Sequence, residues 1–491
     1  MTAPQGCWTC KNRKIGCDRT IPHCNNCVRT KRQCAGYGIR LVWPDEPCAR
    51  RGELILCHVA NAATPHDYPQ DNYCRFLNFT WMDFCLKEKR LTWRQFIERT
   101  SAGPLHSLSL HSPIVGEDAM LLAYYQQIIA PMCSTTRARN GFHDQILPVV
   151  LSCRDGSATA LCSSLLAISA YHHQGPGAAL KYKISAIKCL HESLAASSRF
   201  GCNADAEAQL ATTMMLCMYS VFDEQEAQFH LHLDGAKKML RGLQSHQQQR
   251  PMSDFLMNWV VYYDVLSSFA QPSRGSRGDL RVLTYSSNLQ PTSNLIIGLF
   301  GCSTDVFSSI SFINQMRMAL SDSSVNPDPG EQSQQRMALE ERLRMASQHL
   351  SPDEAANSTT VQIKDASATA ELYRLAALLY LQRVAPAPGD DMRSAVYLQQ
   401  IFAALRTVRV ATSPWPVFIT ACEARTEDER VQILRVLERM DEIRNVGNVR
   451  VMRSLIESIW KQQDLRDSSG KSEAMQWWLR VDGEVPAPWF A

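Results

Sequence analysis

From about residue 117 onward, apolar side chains recur every three or four residues, which is the period of one face of an α-helix. Strand-like alternation of apolar and polar residues is scarce. The clearest stripes are Leu121, Leu122, Tyr125, Ile128 and Ile129; Leu161, Leu165 and Ile168; Leu180, Ile184, Ile187, Leu190 and Leu194; and Phe255, Trp259, Tyr262, Leu266 and Phe269. The pattern predicts a large all-α domain over residues 117–491, with a dozen or more helices around a substantial core.

Two stretches interrupt this pattern. Residues 44–116 contain six prolines around a central aromatic-rich piece, which predicts a partly ordered linker. Residues 321–335 read SDSSVNPDPGEQSQQ and predict a disordered or mobile loop. No sustained heptad follows the N-terminal region, so the pattern predicts no coiled-coil seam for a dimer. No apolar run reaches the roughly 18 residues of a membrane span, and we expect no membrane partner.

The first 34 residues contain six cysteines in two similar halves. Each half has the spacing C-x2-C-x6-C, and six residues separate the halves. The candidate metal ligands are Cys7, Cys10, Cys17, Cys24, Cys27 and Cys34. A segment this small has almost no apolar core, so metal binding, worth roughly 10–16 kcal/mol in comparable sites, would have to drive its folding.

The number of sulfurs indicates how many metal ions the segment holds. A tetrahedral zinc takes four ligands and accepts thiolates readily, so one zinc leaves two of the six cysteines unused. Two Zn²⁺ need eight ligand positions, and six sulfurs fill them only if two sulfurs bridge. Because the halves are equivalent, one cysteine from each should bridge, and Cys7 and Cys24 are the natural pair. Two independent mononuclear zinc sites are a second, less economical arrangement.

A disulfide framework is the alternative interpretation of six closely spaced cysteines. The N-terminal residues MTAPQGCWTCKNRK contain no apolar h-region, so we expect no secretory signal. A cytosolic or nuclear compartment keeps thiols reduced, which favours the metal. The twelve remaining cysteines are scattered within apolar patterns and are interpreted as buried thiols.

Positive charge is concentrated beside these cysteines. Residues 1–43 contain eight Lys or Arg and one acid, Asp18, for a net charge of +7. The whole chain carries +3, so the rest is mildly acidic. A small basic head on a large, slightly acidic body is typical of a nucleic-acid-binding module joined to a regulatory or protein-binding domain.

The stretch CWTCKNRKIGCDRTIPHCNNCVRTKRQCAGYGIRLVWP resembles the fungal Zn₂Cys₆ binuclear-cluster DNA-binding domain in every cysteine spacing, with Asp18 and Pro22 also in place. The patches LLAYYQQIIAP, SLLAISAYHH, FHLHLDGAKKML, SPWPVFITACEAR and NVGNVRVMRSLIESIW resemble, in that order, the fungal-specific transcription factor regulatory domain. The resemblance therefore covers most of the chain. It implies a nuclear transcription factor that regulates RNA polymerase II transcription of a metabolic or secondary-metabolite gene set.

The resemblance also implies which residues bind double-stranded DNA. Two short helices would each start at a C-x2-C pair, and the first, from Cys10 to about Cys17, would enter the major groove. Arg13 and Lys14 would read a CGG-like triplet, because guanine offers paired acceptors to Lys and Arg. The expected phosphate contacts are Lys11, Arg29, Lys31 and Arg32. Gly16 departs from the family pattern, in which a basic residue is common, and removes one potential contact.

No catalytic set emerges from the sequence, and we predict that the protein is not an enzyme. His230, His232 and Asp234 spell H-x-H-x-D, but they lie in a helical pattern that points the two histidines apart. The cluster Met214, Met215 and Met218 is interpreted as core, with an effector pocket as the alternative. A small-molecule effector, a homodimer partner and the transcription machinery remain candidate partners. The alternative function is a helical enzyme or scaffold with a structural zinc-binding appendage.

Overall fold

The computed structural model describes two parts of the chain. The first is residues 6–34, apart from 8, 11–12, 19 and 21–22. The second is residues 116–490, apart from 153–154, 198–202, 227, 246–252, 272–293, 322–328, 410 and 469–488. The chain divides into two compact units, Met1–Leu77 and Asn78–Ala491. Almost all of the predicted linker over 44–116 lies outside the described residues.

Helices account for nearly all regular structure in the described residues. In the first unit, α1 spans Asn25–Arg29. The helices of the second unit are α2 (Glu117–Tyr124), α3 (Ala130–Met132), α4 (Leu147–Ser152), α5 (Gly156–Gln174), α6 (Pro176–Ser197), α7 (Asn203–Phe222), α8 (Phe229–Ser245), α9 (Asp254–Ala270), α10 (Thr304–Ser321), α11 (Pro329–Met345), α12 (Pro352–Asn357), α13 (Thr360–Val384), α14 (Asp390–Thr407), α15 (Pro414–Glu423), α16 (Glu427–Arg444) and α17 (Gly447–Ser468). Two wider π-helical turns, Tyr125–Ile129 and Phe142–Ile146, precede α3 and α4.

Strands are rare, as the sequence predicts. Within the described residues, the one sheet pairs β1 (Ile296–Ile297) with β2 (Cys302–Ser303) in an antiparallel register. This short hairpin lies directly before α10. The prediction of an all-α second domain is therefore confirmed.

Local signals in the sequence set where several helices begin and end. Asp155 caps α5 by accepting a hydrogen bond from the backbone N–H of Ala158 at 2.7 Å. Gly175 ends that helix with φ 94°, a backbone conformation that glycine adopts without strain. Reciprocal capping boxes begin α13, through Thr359 and Gln362, and α16, through Thr426 and Glu429.

The helices pack around one large apolar core in the second unit, and a smaller cluster consists of Ala160, Ala186, Leu190 and Leu216. The paired helices α5 and α6 contact α7, which in turn packs against α8 and α9. In the second half of the domain, α13 contacts α10, α11, α14 and α15. Contacts from α17 to α7 and α15 join the two halves. Large rings dominate the fully buried positions, including Trp259, Trp415, Tyr373 and Phe418.

Most predicted stripes face this core, but the stripe on α6 does not. Leu180, Ile184, Ile187 and Leu194 are between 40% and 57% exposed, and of the predicted set only Leu190 is buried. The buried face of α6 is instead built from small residues such as Ala179 and Ala186. Small side chains allow α6 to approach α5 closely, and Ser163 and Ser185 hydrogen-bond between them at 3.1 Å. The prediction for this face was wrong because close packing selected the small residues.

The predicted polar loop is also shorter than expected. Residues 329–335 form the first turns of α11, although the prediction placed them in a disordered or mobile loop over 321–335. Pro329 at the first position is compatible with helix geometry, since its missing N–H has no intrahelical acceptor there. Arg336 follows and binds Asp390 at 2.9 Å, so a tertiary contact anchors the polar helix. Residues 322–328 lie outside the described residues.

Among the described residues, no helix combines the length and the apolar character that spanning a bilayer requires.

The two faces of α6 lead to a prediction about stability. Leu190→Ala should lower the free energy of unfolding by about 2–5 kcal/mol, because it leaves a cavity among buried side chains. The same change at Leu180, which is 55% exposed on the same helix, should cost no more than about 0.5 kcal/mol. Guanidinium unfolding followed by far-UV circular dichroism measures both. Equal losses would show that the face carrying Leu180 is covered.

Candidate metal centre and nucleic-acid interface

The first unit brings all six N-terminal cysteines together. Their sulfurs form its one apolar cluster among the described residues, with Cys7, Cys10, Cys24 and Cys27 buried and Cys17 and Cys34 partly buried against them. A protein segment whose only buried cluster consists of cysteine sulfurs needs a cation to bind them. This cluster is therefore the candidate metal centre.

The six sulfurs form two groups of four that share two members. One group is Cys7, Cys10, Cys17 and Cys24, and the other is Cys7, Cys24, Cys27 and Cys34. Within each group the sulfur atoms lie within 4.8 Å of one another. The two shared residues are those that the count of ligands singled out as the bridging pair.

Sulfur–sulfur distances test whether zinc fits these groups. A tetrahedral zinc with Zn–S bonds of about 2.3 Å holds its sulfurs about 3.8 Å apart. The Sγ atoms of Cys7 and Cys24 are 3.5 Å apart, those of Cys7 and Cys27 are 3.7 Å apart, and those of Cys10 and Cys24 are 3.6 Å apart. The donor set therefore has the size and the softness that zinc prefers.

Burial of the sulfurs disfavours ionisation of the cysteine thiols unless a cation is bound. Desolvation raises the pKa of Cys7, Cys10, Cys24 and Cys27 above the ordinary value of a cysteine. Backbone N–H groups help to stabilise negative charge on sulfur. The amide of Cys10 donates to Cys7 Sγ at 3.4 Å, and the amide of Cys27 donates to Cys24 Sγ at 3.3 Å. The two shared sulfurs thus receive equivalent hydrogen bonds.

The two halves repeat each other's backbone with an offset of 17 residues. In the first half, the N–H of Ile15 donates to the carbonyl of Cys10 at 3.2 Å. In the second half, the N–H of Arg32 donates to the carbonyl of Cys27 at 2.9 Å. Both bonds close a helical turn in the manner of a Schellman motif.

Side chains between the halves follow the same symmetry. Thr9 Oγ1 donates to the carbonyl of Gln33 at 3.0 Å, and Asn26 Nδ2 donates to the carbonyl of Gly16 at 2.6 Å. Each residue of the first pair lies 17 positions from a residue of the second. Arg13 Nη1 also reaches Thr30 Oγ1, the equivalent position of the other half, at 3.5 Å. Our sequence reasoning missed these contacts, although aligning the halves at that offset would have pointed to them.

Lys14 and Lys31 occupy equivalent positions with the same unusual backbone. Their φ angles are 53° and 50°, in the left-handed region that side chains rarely adopt. The expected first helix from Cys10 to about Cys17 is therefore wrong in its extent. Residues 9–10 are helical, but the helix has ended by Lys14 and residues 15–18 have no regular secondary structure. The turn presents Lys14 on the surface just beyond the helix.

The described cations of this unit are exposed and face few acids. Arg13, Lys14, Arg29, Lys31 and Arg32 are all exposed. Lys11 lies outside the described residues. The solvent-facing surface of residues 6–34 is therefore strongly positive, which suits an anionic partner.

Asp18, the single acid of residues 1–43, is used inside the first unit. Asp18 accepts hydrogen bonds from the Thr20 hydroxyl and from the N–H groups of Asn25, at 3.0 Å, and Asn26, at 3.3 Å. These bonds at the start of α1 hold the pKa of Asp18 well below its ordinary value. Its carboxylate secures the second half to the first and forms no ion pair with the described cations.

The H-x-H-x-D sequence lies within α8. His230 Nε2 hydrogen-bonds with Gln271 Oε1 at 2.5 Å, while His232 is partly buried. Neither histidine belongs to a metal-binding group in the described part of the chain. The helical placement that the sequence predicted for these residues is confirmed.

Comparison with known proteins finds two family models. The model of the fungal Zn(2)-Cys(6) binuclear cluster domain matches residues 5–44. The model of the fungal specific transcription factor domain matches residues 120–483, which is most of the chain. Both resemblances noted in the sequence are thereby confirmed.

Individual relatives match very different lengths of this chain. Transcription factor iacI of Pestalotiopsis fici is 23% identical over 317 residues, covering 63% of this chain and 79% of iacI. Arginine metabolism regulation protein II of Saccharomyces cerevisiae is 50% identical over 38 residues, covering 8% of this chain and 4% of that protein. Transcription factor phomR of Diaporthe leptostromiformis is 42% identical over 48 residues, or 10% of this chain and 8% of phomR. No solved structure matches the chain.

The left-handed turns yield a prediction about the stability of the metal-bound unit. Lys31→Gly should stabilise it by about 1 kcal/mol, because glycine adopts a positive φ without the steric cost of a side chain. Lys31→Val should weaken it, since a β-branched residue is least compatible with that backbone. The measurement is the resistance of the metal-loaded protein to a chelator. Resistance should be highest with Gly at position 31, lower with Lys and lowest with Val. A reversed order would refute the left-handed backbone.

Proposed function

Because the chain belongs to the fungal-specific transcription factor family and carries a Zn(2)-Cys(6) cluster domain, we propose that it regulates RNA polymerase II transcription from the nucleus by reading GC-containing, CGG-like triplets. Membership of the family makes it a DNA-binding, zinc-binding regulator. The proposal adds the number of zinc ions, the residues that contact DNA and the kind of genes controlled. The observation that carries it is the pair of four-sulfur groups beneath an exposed basic turn.

Two Zn²⁺ are proposed for the cluster, with Cys7 and Cys24 each bonding to both ions. The support is that these two sulfurs belong to both groups of four. Cys10 and Cys17 then complete one zinc site, and the ligands of the other site are completed by Cys27 and Cys34. Six thiolates and two Zn²⁺ together carry a charge of −2, so residues 1–43 keep about +5 with the metal bound.

Lys14 is proposed as the main reader of bases. It follows the first helical turn directly, and its left-handed backbone turns the chain away immediately afterwards. A lysine at such a projecting position can reach guanine O6 and N7 in the major groove. Arg13 is proposed as the second reader, although one of its nitrogens also contacts Thr30 within the protein.

The other cations are proposed to hold the DNA backbone. Arg29, Lys31 and Arg32 are exposed on or just after α1, and the same role is proposed for Lys11. Phosphate contacts position a protein on DNA without reading its sequence, and they make binding sensitive to salt. Lys31 is the equivalent of Lys14 in the other half, yet the proposal gives the two lysines different tasks.

The proposed organisation is a DNA-binding module over 1–43, a linker over 44–116 and a regulatory domain over 117–491. The acidic balance of the body suits contacts with other proteins rather than with DNA. A homodimer partner, the transcription machinery and a small-molecule effector are its proposed ligands. Control of a metabolic or secondary-metabolite gene set is consistent with a relative whose name refers to arginine metabolism.

The alternative of a helical enzyme with a zinc-binding appendage receives no support from the comparisons. Both family models and the relatives describe regulators of transcription. A scaffold that binds DNA without regulating transcription would have the same kind of N-terminal module. It would differ from a regulator only in what its helical domain does.

Removing a shared or an unshared cysteine should have different effects on zinc content. Cys24→Ser should abolish binding of both ions, because Cys24 belongs to both four-sulfur groups. Cys17→Ser should leave the group Cys7, Cys24, Cys27 and Cys34 intact and retain close to one zinc per chain. Elemental analysis of purified protein measures both, with two zincs expected in the unmodified chain. Equal zinc content in the two variants would contradict the shared arrangement.

Base reading can be separated from phosphate binding with a matched pair of lysines. Lys14→Gly should flatten the preference among triplets, losing about 1–3 kcal/mol of discrimination. Lys31→Gly introduces the same residue at the same backbone conformation and should keep the preference. Selection from a randomised DNA library, followed by affinity measurements on the selected and mismatched sites, distinguishes them.

The control for this experiment is the dependence of affinity on salt. Lys31→Gly and Arg32→Ala should each weaken binding to all sequences alike and reduce the slope of log affinity against log salt by about 1. Lys14→Gly should change the preference more than the slope. If both lysine variants lose affinity uniformly, Lys14 does not read bases.

A further inference from the structure

Arg444 is buried in the helical domain and has no carboxylate partner among the described residues. Arg444, the last residue of α16, is 7% exposed. Two other deeply buried cations have acidic partners: Arg336 binds Asp390 at 2.9 Å, and Lys237 binds Asp264 at 2.8 Å. Among the described residues, no carboxylate pairs with Arg444. A buried guanidinium costs free energy unless its charge is compensated.

The hydrogen bonds of Arg444 use only part of its donor capacity. Nη1 donates to the carbonyl of Thr412 at 2.6 Å, and Nη2 lies 3.4 Å from the carbonyl of Met132. Nε is buried and has no hydrogen-bond acceptor in the described part of the protein. A guanidinium has five N–H donors, so Arg444 can still bind another acceptor.

The titratable groups around Arg444 do not neutralise it. Its electrostatic neighbours are Cys133, Tyr262, Tyr263 and Tyr373. Burial raises the pKa of Cys133 to about 12 and that of Tyr262 to about 12, and it raises the pKa of Tyr263 and Tyr373 as well. All four groups are therefore uncharged at neutral pH. Burial lowers the pKa of Arg444, but an arginine stays protonated.

Arg444 also lines a cavity of about 50 Å³. Aromatic rings of Phe142, Trp259 and Tyr262 form much of the wall, and Met218 closes part of it. A single water needs roughly 10–15 Å³ of such space, so the cavity has room for a few heavy atoms. It therefore combines an apolar wall with one uncompensated cation.

The wall is assembled from segments far apart in the chain and is tightly supported. The carbonyl of Gly298 accepts hydrogen bonds from the N–H and the hydroxyl of Thr135, at 2.8 and 2.9 Å. A Cβ at Gly447 would lie 2.4 Å from the carbonyl oxygen of Phe222, so α17 approaches the end of α7 as closely as glycine allows. The main chain of Arg444 is also fixed, because its carbonyl oxygen is hydrogen-bonded to His172 Nε2 at 2.6 Å. This contact places His172, near the end of α5, against the segment that carries Arg444.

We propose that this cavity is a binding site for a small monocarboxylate of two to four carbons, whose carboxylate pairs with Arg444 and whose alkyl part contacts the aromatic wall. The geometry supports this class in three ways. The guanidinium fork matches a carboxylate, the rings suit an apolar chain, and the volume limits the chain length. A monoanion neutralises the single cation, whereas a dianion such as hydrogen phosphate would leave a net buried negative charge.

The site is a property of the helical domain and does not depend on how the sulfur cluster reads DNA. A failure to bind carboxylates would leave the proposed zinc and base contacts untouched. A failure of base reading would equally leave this site untouched. Binding is therefore tested without DNA.

The experiment titrates the full-length, zinc-loaded chain with sodium propionate. Propionate should raise the Tm in a saturable way, because a ligand that binds only the folded state stabilises it. Acetate and butyrate test the chain length. Sodium chloride, sodium phosphate and neutral propionamide at matched ionic strength test whether the carboxylate is recognised. Saturation-transfer NMR on propionate confirms direct binding.

Two variants locate the site. Arg444→Gln should weaken propionate binding about tenfold or more, since it removes a charged hydrogen-bond donor. Cys133→Leu should abolish propionate binding, because the larger side chain fills the cavity while Arg444 stays in place. If Arg444→Gln does not fold, Cys133→Leu alone tests whether propionate binds in this cavity. Arg453→Gln changes a half-buried arginine on α17 that pairs with Glu457. It is the matched control and should bind as the unmodified chain does.

The inference is supported if propionate binds, propionamide does not, and both site variants lose binding. It is overturned if no carboxylate shifts the Tm. It is also overturned if chloride or phosphate stabilises the chain as much as propionate does, because the site would then hold any anion. Unchanged binding in folded Cys133→Leu would place the carboxylate elsewhere and refute the assignment.

Discussion

The DNA-binding surface depends on sulfur atoms that share a cation. In the described part of the first unit, the buried side chains are cysteines, and no aliphatic core stands behind them. Desolvation raises the pKa of four of these thiols, so the thiolates that attract a metal form only when the metal is present. Metal binding and folding are then a single event. The exposed lysines and arginines have a defined arrangement only because the sulfurs beneath them are held together.

The internal repeat explains how so short a segment builds two metal-binding halves. The same turn, the same N–H to sulfur hydrogen bond and the same left-handed lysine recur after 17 residues. Reciprocal bonds from Thr9 and Asn26 then join the halves. Symmetry of the backbone does not impose symmetry of function, since Arg13 in one half corresponds to Thr30 in the other. Differences of this kind would allow the proposed division, in which one half contacts bases and the other contacts phosphates.

The helical domain is stabilised differently. It buries large aromatic rings and a few charged side chains among many helices. Most buried cations there have acidic partners, so their cost of burial is compensated locally. Arg444 has carbonyl groups and a cavity instead, with the terminal carbonyls of α3 nearby through Met132. Within the described residues, the charge of Arg444 is therefore left without an anionic partner.

Some features of this protein follow from local sequence alone. The number and spacing of the cysteines determine the ligand count, the two halves and the shared pair, because coordination number is a property of the metal. The helical period of residues 117–491 determines an all-α domain, and capping residues such as Thr359 and Thr426 mark where helices begin. These features depend only on residues that lie close together in the sequence.

Other features required the tertiary structure. The buried face of α6 is the one with Ala179 and Ala186, because the approach of α5 decides which face is covered. The first helix stops before Lys14, since the fold of the sulfur cluster holds that residue in a left-handed turn. The surroundings of Arg444 include residues as distant in the chain as Met132, and no local sequence pattern predicts this contact. Periodicity and ligand count are short-range properties of the chain, whereas burial, turn conformation and uncompensated charge depend on which segments pack together.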